Sequence, residues 1–340
     1  MSNFSKEDKI TAFTLLGDFL RLPTTDFIEV INNAHNHNAW FTIAEVNKAV
    51  TALGNMLNHK DLGNWLAIYP ENSKVKNIGL VLAGNLPLVG FHDVVCVIAC
   101  GHKAMIKLSS QDNQLLIAVL AQLFIIEPRF KPLVNIVFKL ENFDAIIATG
   151  SNNTSRYFEY YFGQVPNIIR KSRNTIAVLT GNETADELNL LGNDIFSYFG
   201  LGCRSVSKLF VPEGYVFNFF FESIESFNPI LNHHKYNNNY DYNKSIYLVN
   251  KVSHLDNGFL LLTPNENLSS PLAVLYYQTY SDITHVEQQI KASAQAIQVV
   301  VSNVKLNTHV AEVNFGQSQN PKLWDYADGV DTMKFLSDLA

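Results

Sequence analysis

The chain has 340 residues, 47% of them apolar and 16% charged, with a net charge of -6. That composition excludes a disordered chain and supplies a large core, and the length suits about two domains. An acidic balance without a dense Lys/Arg cluster excludes an ordinary nucleic-acid binder.

The first ten residues lack a basic start followed by an apolar run, so they read as the entry to an amphipathic helix rather than a signal peptide. Residues 1 to about 70 read as helical, with polar breaks at 23–25 and 33–38. From Lys76 the pattern changes to strands alternating with helices. Residues 78–82 form a short apolar run, as in a strand buried on both faces. Gly84, Asn85, Leu86 and Pro87 then make a turn, and 89–100 read as a buried helix ended by Gly101. The whole stretch 78–100 is long enough to span a bilayer. Asn85, Pro87, His92 and Asp93 interrupt it, so no membrane span is expected.

The next strand is 104–108. Ser109, Ser110, Gln111 and Asp112 are expected to cap a helix that runs to about Ile126 and stops before Pro128. Further short strands fall at 136–138 and 145–148. A polar turn from Thr149 through Gly150 and Ser151 to Thr154 opens another helix, and 175–179 is the last strand of the run. Strands alternating with helices imply an α/β protein with a parallel sheet. A long helix over 185–198 leads to Cys203. Residues 232–244, rich in Asn, Tyr and His, read as an exposed loop or hairpin tip. The adjacent His233 and His234 have no carboxylate or cysteine cluster at ligand spacing, so no metal is assigned. A final helix is expected over 330–339. The predicted division is 1–180, 181–320 and a tail of 321–340.

There are three cysteines, Cys96, Cys100 and Cys203. An odd, low count fits a reducing compartment, the cytoplasm. Cys96 and Cys100 lie four apart on an apolar helix and suit core packing. Cys203 differs, because Gly200 and Gly202 lead into it and a strand-like run leaves it. Glycines there let the backbone approach a substrate and leave a thiol uncovered. From this segment alone, a reactive thiol and a core thiol are both open.

Three strand-to-helix turns bear on chemistry. The Asn85 turn puts a side-chain amide at the carboxyl end of a strand, where open α/β sheets bind ligands. It suits an oxyanion donor, or simply a turn in which Asn tolerates an unusual backbone angle. Lys107 with Ser109 and Ser110 suits a phosphate or ribose, or a strand-end lysine in solvent with a capping serine. Thr149, Gly150 and Ser151 open a helix whose N-terminus suits a pyrophosphate, although no Gly-x-Gly-x-x-Gly fingerprint is present.

In their order along the chain, these pieces resemble the aldehyde dehydrogenase superfamily, with its Asn-Phe-Pro turn, strand-end lysine, Thr-Gly-Ser turn and nucleophilic cysteine. The stretches 83–93, 106–110 and 198–204 are most similar to the acyl-CoA reductases related to the fatty-acid reductase of bacterial bioluminescence. The resemblance covers roughly residues 75 to 320. It implies an aldehyde dehydrogenase-like α/β fold, with a Rossmann-like parallel-sheet cofactor domain and an α/β catalytic domain. It implies Cys203 as nucleophile and Asn85 as oxyanion-hole amide. Lys107 matches the lysine on the adenosine ribose, and Gly150 and Ser151 the turn near the pyrophosphate. Ser110 stands where NAD-preferring members often carry a glutamate, which implies NADPH ahead of NADH. No carboxylate occurs over 170–177, where hydrolytic members carry the glutamate that activates water. That departure fits a thioester substrate, for which excluded water protects the acyl-enzyme. Glu266 stands one place early for the family's ribose-binding glutamate or is unrelated to it, and is left out of the site.

The expected activity is therefore NADPH-dependent reduction of an acyl-CoA to an aldehyde through an acyl-enzyme on Cys203, whose pKa should lie below the free value of about 8.5. The resemblance also implies a homo-oligomer and an acyl-transferring partner protein. An acyltransferase or thioesterase on the same cysteine, and a non-catalytic scaffold of the same fold, are the competing expectations.

Overall fold

The computed structural model describes residues 4–70 and 74–339. The first three residues of the expected helix entry and the last residue of the tail lie outside them. The described chain divides into two compact units. One comprises residues 1–172 and 321–340, the other 173–320.

The first unit opens with helices α1 (Lys6–Arg21), α2 (Thr25–Asn33), α3 (Ile43–Met56) and α4 (His59–Ala67). Local chemistry sets the starts of α1, α3 and α4. Ser5 and Asp8 form a reciprocal capping box, and the side chains of Thr42 and Asn58 each accept a first-turn amide. Next come β1 (Asn77–Val81), α5 (Phe91–Ala99), β2 (Lys103–Lys107), α6 (Leu115–Ile126), β3 (Val134–Ile136), β4 (Ala145–Thr149), α7 (Asn152–Phe162) and β5 (Asn167–Arg170). The five strands form an all-parallel sheet of order β3-β2-β1-β4-β5. Chain order reverses between β1 and β4. In open α/β sheets that switch point leaves a crevice at the carboxyl ends of the strands. One apolar core joins the α1–α4 helices, the sheet and α5, and includes Leu323, Tyr326, Met333 and Leu336 of the returning tail.

The second unit contains β6 (Asn174–Val178), α8 (Ala185–Phe196), β7 (Val206–Pro212), α9 (Asn218–Ser223), α10 (His234–Val249), β8 (Leu255–Asp256), β9 (Leu261–Pro264), β10 (Val274–Tyr280), α11 (Ile283–Ala292), β11 (Ile297–Val301) and β12 (Glu312–Val313). Its seven-stranded sheet has the order β12-β11-β6-β7-β10-β9-β8 and is parallel except where β8 meets β9. An apolar core lies on each face. Phe220 is buried in one, while Phe219 is exposed. The chain then returns to the first unit and ends in α12 (Thr332–Ser337).

Four expectations need correction. The strand at 175–179 does not close the first sheet. It pairs with β7 and β11 in the second, so the division falls at 172/173 rather than 180/181. The tail is not a separate piece. It packs on the first unit, where Tyr326 Oη accepts from Trp65 Nε1 at 2.7 Å and His102 Nε2 meets the Leu336 carbonyl at 3.0 Å. Residues 234–249 are a helix, not a loop, because Tyr236, Tyr240 and Asn243 recur at i, i+4 and i+7 and are buried. Finally, Ser109 to Asp112 do not cap α6, which starts at Leu115 without a side-chain cap bond. They close on themselves, the Asp112 amide donating to the Ser109 carbonyl at 3.3 Å.

No helix among the described residues is long and apolar enough to cross a membrane.

Candidate active site

In the first unit, the carboxyl ends of β2, β1 and β4 lie side by side. Val81 of β1 is in register with Lys107 on one side and Ala148 on the other. The sheet therefore gathers Asn85, Lys107, Ser109, Ser110, Thr149, Gly150 and Ser151 along a single edge at the switch point. Asn85, Lys107, Ser110 and Ser151 are exposed there.

Each turn has a distinct local cause. A Cβ on Gly84 would sit 2.3 Å from Ser109 Oγ, so only glycine lets the Asn85 turn lie against the Ser109 turn. The Ser109 hydroxyl accepts the Gln111 amide at 3.2 Å. Because α6 begins later, Ser109 and Ser110 offer hydroxyls from a tight turn, not from a helix N-terminus. Ser151 does cap its helix, its hydroxyl accepting from the Thr154 amide at 3.3 Å. A Cβ on Gly150 would meet the Phe158 ring at 2.9 Å, which keeps the backbone close to α7.

The donors along this edge are an ammonium, hydroxyls and a helix N-terminus, a set that suits the phosphates and ribose of a dinucleotide. Within 107–112 the single carboxylate, Asp112, is buried and turned to the Leu88 amide at 2.6 Å. Burial pushes that carboxyl up to about 6, against the lowering effect of the Leu88 N–H.

Two further first-unit features support the edge and escaped sequence reading. Arg170 closes β5 in register with Thr149. Its buried guanidinium pairs with buried Asp93 of α5 and donates to Thr332 Oγ1 at 3.0 Å. His92 Nε2 meets the Leu323 carbonyl at 2.9 Å. Asp93, one of the polar residues that interrupt the apolar stretch 78–100, is thus buried as the partner of the Arg170 guanidinium.

Cys203 belongs to the second unit. It is exposed, while Cys96 and Cys100 are buried, as their apolar helix predicts. Burial pushes the Cys100 thiol up to about 12 and the Cys96 thiol well above its ordinary value, so neither is a nucleophile. Cys203 sits in a tight turn just before β7, the Ser205 amide donating to the Gly202 carbonyl at 3.0 Å. The Cys203 carbonyl accepts from Thr175 Oγ1 at 2.8 Å, which ties the turn to the start of β6. The approach is strained. Tyr198 (φ 53°), Phe199 (φ 58°) and Gly200 (φ 78°) are three successive left-handed residues, and two of them are buried aromatics. Such backbone is costly for side chains with a Cβ and concentrates at functional sites.

Neighbouring residues brace that turn. Arg204 Nη1 donates to the Ser318 carbonyl at 3.4 Å, and Gln319 Nε2 to Ser205 Oγ at 3.3 Å. Buried Asp194 of α8 accepts the Ser318 amide at 2.9 Å, and burial raises its pKa. Lys208 of β7 is buried, and its Nζ donates to the Glu266 carbonyl at 2.7 Å and to Gln278 Oε1 at 2.8 Å. Burial pushes this ammonium down to about 8. The sequence signal for Lys208 was a charge inside an otherwise apolar strand.

No family model matches the sequence, and no curated protein matches it. Solved structures match it over nearly its whole length. Aldehyde dehydrogenase 21 from Physcomitrella patens aligns with a TM-score of 0.72 at 13% identity, over 98% of this chain and 84% of that one. The chain has the aldehyde dehydrogenase fold. An NADP-dependent enzyme of E. coli shares this fold at a TM-score of 0.68 and 12% identity, over 92% of this chain and 78% of that one. So does an NAD-dependent benzaldehyde dehydrogenase of Corynebacterium glutamicum, at 0.65 and 12%, over 93% of this chain and 83% of that one. At such identities the likeness fixes the aldehyde dehydrogenase fold and leaves the activity to the residues.

Proposed function

We propose that the protein reduces an acyl thioester, acyl-CoA being the expected substrate, to an aldehyde through an acyl-enzyme on Cys203. The observation that carries this reading is an exposed cysteine delivered by strained backbone, on an aldehyde dehydrogenase fold. The Cys203 thiolate attacks the thioester carbonyl. The Asn85 amide and the Cys203 backbone N–H donate to the oxygen as charge develops on it. Coenzyme A leaves as its thiolate, and the acyl group stays on Cys203. A reduced nicotinamide supplies the hydride for reduction of that acyl group. The thiohemiacetal on Cys203 then collapses, expelling the Cys203 thiolate and releasing aldehyde.

The edge residues hold the dinucleotide in this reading. Lys107 and Ser109 take the adenosine ribose, and Thr149, Gly150 and Ser151 the pyrophosphate. Exposed Ser110, with Asp112 turned inward, leaves a ribose 2′-phosphate unopposed, which favours NADPH over NADH. The absence of a carboxylate over 170–177 removes a base for activating water and supports thioester chemistry over aldehyde oxidation. A cytoplasmic setting, self-association and an acyl-transferring partner protein belong to the same reading.

The test is turnover of acyl-CoA with NADPH, followed by nicotinamide absorbance and aldehyde trapping. Wild type should consume both substrates, and Cys203→Ala should consume neither. Coenzyme A release without nicotinamide oxidation would assign a thioesterase or acyltransferase instead. A Cys203 inert to iodoacetamide near neutral pH would favour a scaffold.

A further inference from the structure

Leu88 lies between the Asn85 turn and α5, and its φ of 57° is left-handed. A branched side chain pays for that conformation, so something must hold it. Its amide donates to Asp112 Oδ2 at 2.6 Å. Asp112 is 8% exposed, and its second oxygen, Oδ1, is buried without a hydrogen-bond partner. A carboxylate placed so poorly for its own solvation is not explained by stability. The same turn is fixed from two other sides. Asn38 Nδ2 donates to the Gly84 carbonyl at 3.3 Å, and Ser109 fills the space where a Gly84 Cβ would lie.

We propose that Asp112 is a positioning residue for the Asn85 turn. Its carboxylate holds Leu88 in the left-handed conformation and so fixes the backbone that carries Asn85, three residues earlier. Because Asp112 ends the segment that starts at Lys107, it also links the nucleotide-facing turn to the amide-bearing turn. What Asn85 does chemically rests on the reading of function given above; the mechanical claim does not.

The experiment compares full-length Asp112→Ala, Asp112→Asn and Asn85→Ala with wild type, by amide hydrogen exchange and by the rate of Cys203 acylation. Losing a charge-assisted bond should speed exchange in a peptide covering 84–91 by about 10- to 100-fold in Asp112→Ala. Peptides from β1 and from the rest of α5 should not change. Acylation should slow by a similar factor, about 10- to 100-fold, with the KM for acyl-CoA unchanged. Asp112→Asn keeps an acceptor for the Leu88 amide and should restore both to within about threefold. Should Asp112→Ala fold poorly, Leu88→Gly is added, since glycine adopts the left-handed conformation without penalty. Glycine permits this conformation but does not hold it, so the double variant should fold and still acylate slowly.

Unchanged exchange over 84–91 in Asp112→Ala would overturn the inference. So would normal acylation by that variant alongside slow acylation by Asn85→Ala. If Asn85→Ala itself acylates normally, the reading of function fails at Asn85, and the exchange data still decide the role of Asp112.

Discussion

Asn85 and Asp112 show how differently two polar residues on one edge can act. Asn85 is exposed at a strand end, and its proposed work is donation to a developing charge. Removing one such donor typically costs about 10²- to 10³-fold in rate. Asn85→Ala should therefore slow acylation by about that much in a single-turnover assay, with the protein's thermal midpoint unchanged. Asp112 carries a cost that pH can expose. Its folded pKa of about 6 lies above the unfolded value of about 3.9. The folded state thus holds the proton to higher pH than the unfolded state does. The stability this contributes is full below about pH 4 and is lost as pH rises through about 6. Asparagine at this position does not titrate. At ~1.4 kcal/mol per pH unit between the two values, the stability of Asp112→Asn relative to wild type should rise by up to ~3 kcal/mol between pH 4 and pH 7. Urea unfolding of both proteins across that range checks the sign, and a flat difference would mean that Asp112 is solvated. The exposure of Cys203 could be read at this scale from the glycines that lead into it, a local signal. The left-handed Tyr198, Phe199 and Leu88 were not, since their conformation is imposed by packing rather than by residue type.

At the scale of elements, most of the first sheet could be read from apolar runs and turn residues. β1, β2 and β4 and the helices behind them are delimited by Gly84, Gly101 and Ser151. β5 was passed over because it has four residues and half of them are polar or charged. α10 was taken for a loop because its asparagines and tyrosines conceal the helical period of its buried face. The contact that fixes α5 against β5, Asp93 with Arg170, joins residues 77 positions apart and has no local signature. Removing one partner of such a buried pair strands the other charge, at a cost of about 3–5 kcal/mol. Asp93→Ala should lower the unfolding free energy by that amount in a denaturant titration. Replacing both residues with apolar side chains of similar volume should recover most of the loss. A loss below about 1 kcal/mol would mean that water reaches the guanidinium.

At the scale of the molecule, the sequence pointed to two α/β bodies but misplaced the junction. β6 has the same apolar character as the first-unit strands, and composition cannot say which sheet a strand joins. The tail looked like an appendage because its anchors, Tyr326, Met333 and Leu336, find their partners far back in the chain. The order of turns along the chain was the stronger guide. It anticipated an aldehyde dehydrogenase fold that solved structures match at 13% identity, where neither a family model nor a curated relative does.

The central claim is that Cys203 carries the acyl group. Intact-protein mass spectrometry after incubation with acyl-CoA, without any nicotinamide, tests it most directly. Wild type should gain one acyl group, mapped by digestion to Cys203, and lose it as aldehyde when NADPH is added; Cys203→Ala should gain none. An unmodified wild type, or aldehyde formed by Cys203→Ala, would contradict the account.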